Sequence, residues 1–161
     1  MMNILLGIIL AVAMWIDIKD KIIPNWLTFS LMLLGLIINL SIDGWSGLLF
    51  SLQGLGVGLA IFLIPFVLGG LGAGDVKLVA GIGAVKGVKF VLLDSLVIAI
   101  VGGIISLFIL IQEKKLGRMI KKVIYRLPFK SLSDREDQEG NDAFPYGVAV
   151  AFGTWYTLFL H

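Results

Sequence analysis

One hundred and sixty-one residues is about one domain, yet 58% of them are apolar before any of the 20 glycines is counted, and only 15% are charged. Ordinary soluble domains reach roughly 45–50% apolar with glycine included, and the mean hydropathy here is +1.01. Such a chain has too little polar surface to cover a globule in water, which excludes a soluble domain and, more firmly, a disordered one. With no cysteine and a single histidine at the last position, His161, disulfides, thiol nucleophiles and Cys- or His-built metal sites are excluded too. The formal charge of +2 is small and points to no nucleic-acid partner.

A helix crossing a bilayer needs roughly 20 apolar residues. Apolar stretches run over Met1–Ile16, Trp26–Leu40, Trp45–Leu68, Val76–Val85, Phe90–Ile111 and Phe144–Leu160. The pattern predicts an all-α, polytopic membrane protein of about six transmembrane helices, forming one transmembrane domain over 1–161. Met1–Ile16 lacks the basic start of a signal peptide and reads as a retained helix. Val76–Val85 is the shortest stretch, and whether it crosses fully is open.

Orientation follows from the basic residues, which favour the cytoplasmic side. Taking Lys114–Arg135, with its eight Lys and Arg, as cytoplasmic places Lys19, Lys21 and Lys77 on the same side. That accounts for eleven of the thirteen basic residues, with only Lys86 and Lys89 facing outward. The prediction is a multi-pass protein of the cytoplasmic membrane with both termini outside.

Within 113–142 the apolar positions Leu116, Met119, Ile120, Val123, Ile124 and Leu127 recur at three- and four-residue steps, opposite a Lys/Arg-rich face. This is an amphipathic helix, suited to anionic headgroups of the lipid bilayer. The acidic run Asp134, Glu136, Asp137, Glu139 and Asp142 follows as a solvated linker. Gly54, Gly56 and Gly58, with Gly102 and Gly103, fit close helix–helix approach. Asp94, expected near the outer end of the fifth span, reads as interfacial or hydrogen-bonded rather than catalytic.

Ionisable residues inside a membrane are costly, so each is a functional candidate. Sixteen helical residues before Asp17 span about 24 Å at 1.5 Å each, which sets its carboxyl at the cytoplasmic boundary. Pro24 and Asn25 follow as the break and N-cap before the next helix. Asp75 ends the stretch Gly72-Ala73-Gly74-Asp75, whose glycines permit close backbone approach. Alone, that stretch is a turn with a helix-capping aspartate. The topology, however, puts Asp17 and Asp75 at one depth on one face. Two nearby carboxyls in a partly desolvated site cannot both ionise cheaply, so the pair shares a proton. One neutral and one ionised carboxyl is the apparatus of aspartic proteolysis, which requires no cofactor.

At this point the sequence resembles the type IV prepilin peptidases and the archaeal preflagellin peptidases. The resemblance rests on Asp17 followed by Ile23-Pro24-Asn25-Trp26-Leu27-Thr28, on Gly72-Ala73-Gly74-Asp75-Val76-Lys77-Leu78, and on Pro145-Tyr146-Gly147. It implies a membrane aspartic endopeptidase that removes a short basic leader from prepilin-like or preflagellin-like precursors on the cytoplasmic side. By it, Asp17 and Asp75 are the catalytic pair and Gly72 and Gly74 position Asp75. Lys19 and Lys77, flanking the aspartates, are substrate-binding or positioning candidates, against a plainer role reaching for headgroups. Larger members carry a four-cysteine zinc domain linked to methyltransfer. This chain has no cysteine, so methyltransferase activity is not expected, and the chain is similar to minimal, peptidase-only members. Two other readings stand beside this one: a proton- or ion-coupled transporter using Asp17 and Asp75 as a relay, and a non-catalytic assembly subunit.

Overall fold

The structure, a computed structural model, describes residues 2–68, 70–112 and 146–160. The basic amphipathic helix and acidic linker expected over 113–142 lie outside the described residues. Four helical elements make up the rest: α1 (Met2–Asp20), α2 (Asn25–Val67), α3 (Ala73–Gln112) and α4 (Tyr146–Leu160). Two of them are long and apolar enough to cross a membrane, one being α2 and the other the part of α3 over Ala73–Ile104.

The sequence predicted six helices where four elements are seen, because two of the expected loops are single residues. Gly44 (φ 59, ψ −136) interrupts α2 and Gly87 (φ 80, ψ 179) interrupts α3. Positive φ is a conformation glycine adopts without the Cβ penalty, so helix runs up to each glycine and resumes directly after it. Across Gly44 the chain folds back on itself. Asn39 Nδ2 donates to Ser51 Oγ (2.8 Å), Ser51 Oγ donates to the Gly35 carbonyl (3.2 Å), and a side chain at Gly47 would overlap the Asn39 carbonyl. The arms 25–43 and 45–67 are therefore antiparallel neighbours.

The first arm of α3, 73–86, occupies the centre. Leu78, Val79, Ala80, Ile82 and Ala84 are fully buried on it. Its neighbours approach through glycine. Gly54 and Gly83 lie backbone to backbone, Gly58 faces Val79 and Ala80, and a Cβ on Gly35 would stand 2.7 Å from the Ala84 carbonyl carbon. Small residues at such crossings let helices pack by van der Waals contact at short range. Of the glycines expected to serve this way, Gly54 and Gly58 do, and Gly102 does against Tyr146; Gly56 and Gly103 face open space.

α4 packs between the second arm of α3 and α1. Gly153 sits on Ile98 and Gly102 on Tyr146, while Gly7 lies against Trp155 and Gly147 against Asp17. These pairings alternate the direction of the six helical segments. One end of the bundle gathers Asp17, Asp75 and Tyr146; the other gathers Asn3, Lys86 and the Gly44 reversal, with Lys86 Nζ donating to Asn3 Oδ1. Large apolar side chains cover the outside, among them Ile4, Leu33, Ile64, Leu96 and Ile104.

One local expectation needs correction and a second is narrowed. Asn25 does not cap α2: Pro24, extended at φ −68 and ψ 141, holds the cap position without a side-chain bond, and Asn25 is the first helical residue. Asp94, expected as interfacial or hydrogen-bonded, takes the hydrogen-bonded role. It is fully buried, its Oδ2 accepting from Thr154 Oγ1 (2.9 Å) and its Oδ1 from Thr157 Oγ1 (3.2 Å). The hydrogen-bonded half of that expectation is what the fold uses, since a carboxyl this deep needs polar partners.

Candidate active site

Asp17 is carried into the interior by helical periodicity. Leu6, Leu10 and Ala13 are buried at steps of three and four, and the next position on that face is Asp17. Its carboxyl, 4% exposed, lands on the head of α4. There Oδ2 accepts the Gly147 backbone N–H at 2.8 Å, across 130 residues of chain. The first N–H groups of any helix lack partners within it, and a carboxylate suits that positive end. Glycine is required here by space, since a Cβ on residue 147 would stand 2.7 Å from Oδ2 and 2.9 Å from Cγ.

Asp75 is held differently. It is the third residue of α3, and its Oδ2 accepts the Gly72 N–H at 3.2 Å. This is the acidic half of a capping box on its own helix. Gly74 lets that helix start against the α1–α2 connection, where a Cβ would meet Ile23 Cβ at 2.9 Å and its carbonyl oxygen at 3.1 Å. Asp75 is 6% exposed, and its Oδ1 is buried without a hydrogen-bond partner among the described residues. A buried acceptor left so costs roughly 1–3 kcal/mol, and it is free to engage an incoming group. Asp75 lies within reach of the charge of Asp17, and the half-buried Tyr146 within reach of that of Asp75.

The remaining candidates sort clearly. Gly72 donates its N–H to Asp75, and Gly74 lies against Ile23. Lys19 is exposed on the last turn of α1. Lys77 turns towards the start of α2, donating to Asn25 Oδ1 at 2.8 Å with its ammonium 5.4 Å from the Phe29 ring centre. Sequence reasoning missed the part played by Gly147. The available signal was Pro145 before the last apolar run, which marks a helix start and so a row of free amides.

A family model for the type IV leader peptidase family matches residues 4–112, more than half of the chain and a stretch containing both Asp17 and Asp75. The chain belongs to the type IV leader peptidase family. A peptidase of this family is a hydrolase with a protein substrate of the prepilin type. The matched stretch takes in α1, α2 and α3 but not α4, so the amide donor to Asp17 comes from outside it. A search of curated proteins finds no match, and a search of solved structures finds none either.

Proposed function

We propose that the protein is an intramembrane aspartic endopeptidase that removes the short basic leader of type IV prepilin-like precursors, with Asp17 and Asp75 as its catalytic pair. The observation that carries this reading is the pair of buried carboxyls, Asp75 within reach of the charge of Asp17, at one end of a bundle that belongs to a leader peptidase family. One carboxylate takes a proton from water as the water oxygen attacks the scissile carbonyl. The neutral partner donates to that carbonyl oxygen, and a proton returns to the leaving amine as the C–N bond breaks. No cofactor enters these steps.

The setting is a bilayer crossed by six helical segments, with the carboxyl-bearing end at the cytoplasmic face. Support comes from the alternating segments, the apolar exterior, and exposed Trp15 and Trp26 at the carboxyl end with Trp45 at the other. Aromatic side chains of this kind favour membrane–water boundaries. Lys19, Lys21 and Lys77 at the carboxyl end fit the basic cytoplasmic side. In this setting Lys19 is placed to meet a substrate segment or the headgroups, and Lys77 steadies the start of α2 beside Asp75. A transporter would use the same acids as a relay, but leader peptidase membership favours hydrolysis.

Purified protein incubated with a prepilin-like precursor should release the leader, read as a mass loss. Asp17→Ala and Asp75→Ala should each abolish the release in folded protein. Cleavage surviving either change removes that residue from the pair.

A further inference from the structure

Aspartic chemistry asks for carboxyls held at a fixed angle to a water and a carbonyl, and the two aspartates obtain that hold by different routes. Asp75 is fixed by its own helix through Gly72. Asp17 stands at the end of α1, where nothing local donates to its side chain. Its fixed donor at Oδ2 is the Gly147 N–H, supplied by a helix that the family match does not include.

We propose that Gly147 is a positioning residue for peptide hydrolysis, its backbone N–H fixing the orientation of the Asp17 carboxyl. The inference rests on the aspartic reading above. Three features of the structure support it. The contact is short, at 2.8 Å, and buried. The site admits no side chain, because a methyl on residue 147 would press on Oδ2, Cγ and Cβ of Asp17 alike. α4 itself is also held from both sides, through the second half of the helix that carries Gly147. Thr154 and Thr157 tie it to Asp94 on α3, Gly153 seats it on Ile98, and Gly7 on α1 brings it within van der Waals reach of Trp155. A donor mounted on a helix pinned to both neighbours has little freedom to wander, and Asp17 inherits that rigidity. The plainer account is that Asp17 merely caps α4, in which case the contact serves stability alone.

The two accounts separate in the precursor-cleavage assay with the full-length protein. Gly147→Ala should lower kcat on the order of 100-fold, the scale expected when a reacting group is displaced by about 1 Å, with KM for the precursor within about threefold. Gly56→Ala and Gly103→Ala, whose new methyls meet open space, should leave kcat and KM unchanged. Should Gly147→Ala fail to fold, replacing Gly147 by glycolic acid exchanges only the N–H for an ester oxygen. That change adds no bulk and should still lower kcat at least tenfold with KM preserved. Full kcat in either folded variant overturns the proposal, as does a loss carried wholly by KM. Failure of the underlying reading looks different: wild-type protein that releases no leader, or Asp17→Ala protein that still does.

Discussion

Among the described residues, acid is buried in two places and treated in opposite ways. Asp94, deep between α3 and α4, has a threonine hydroxyl on each oxygen. Asp75, at the bundle end, has one oxygen on the Gly72 amide and the other unpartnered among the described residues. Burial is similar for both, so burial alone does not mark a reactive group. What sets Asp75 apart, on the proposed reading, is an oxygen without a hydrogen-bond partner among the described residues and a second carboxyl nearby. Both oxygens of Asp94 are engaged, and its threonines are themselves secured, each hydroxyl lying within reach of its own helix carbonyl at Val150 or Gly153.

That contrast breaks most directly in activity. Asp75→Asn should lower precursor cleavage on the order of 1,000-fold or more, within the span of acid–base contributions, whereas Asp94→Asn should change it less than about threefold. Comparable losses from both, measured as leader released per folded enzyme, would erase the distinction. A proton-sharing pair also gives a bell-shaped dependence of kcat/KM on pH, and Asp94→Asn should leave both limbs where they are.

Smaller effects fall on stability. Gly54→Leu places a side chain into the Gly83 backbone and should cost about 3 kcal/mol, the upper range of overpacking, seen as a lower Tm in detergent. Asp94→Leu should cost about 1–2 kcal/mol, since two hydrogen bonds are lost while the threonines turn back to their own helix. Normal activity per folded molecule would confirm that this acid is structural. The smallest change is at the end of α1, where Lys21 sits at φ 54 after the helix and its N–H bonds the Asp17 carbonyl at 2.9 Å. Glycine is the ordinary residue there, and Lys21→Gly should raise stability by about 0.5 kcal/mol, part of the cost of the left-handed conformation.

Much of this was legible in the chain. The apolar stretches mark the helical segments because a membrane-sized run of leucine, isoleucine and valine has few other uses, and Asp17 is the first charge in the chain. Gly72 and Gly74 announce a close approach before Asp75. Other features were not legible, for physical reasons. Whether a turn takes four residues or one depends on the φ that Gly44 and Gly87 adopt, which composition does not reveal. The threonine partners of Asp94 were hidden because a one-dimensional reading gives depth along a span but not what stands beside it. The bond from Gly147 to Asp17 joins residues 130 apart, and no periodicity within either helix encodes it.

The one-residue reversal at Gly44 has a consequence for how this chain tolerates change in length. A surface loop absorbs an added or lost residue as slack, but here helix abuts the turning glycine on both sides. One insertion beside it would rotate the following arm by about 100° and advance it 1.5 Å. Gly47 and Ser51 would swing away from Asn39 and Gly35, and the Gly54 contact with the central helix would go with them. Length at this corner is thus as tightly constrained as identity in the core, and insertions or fused tags belong at some other point in the chain.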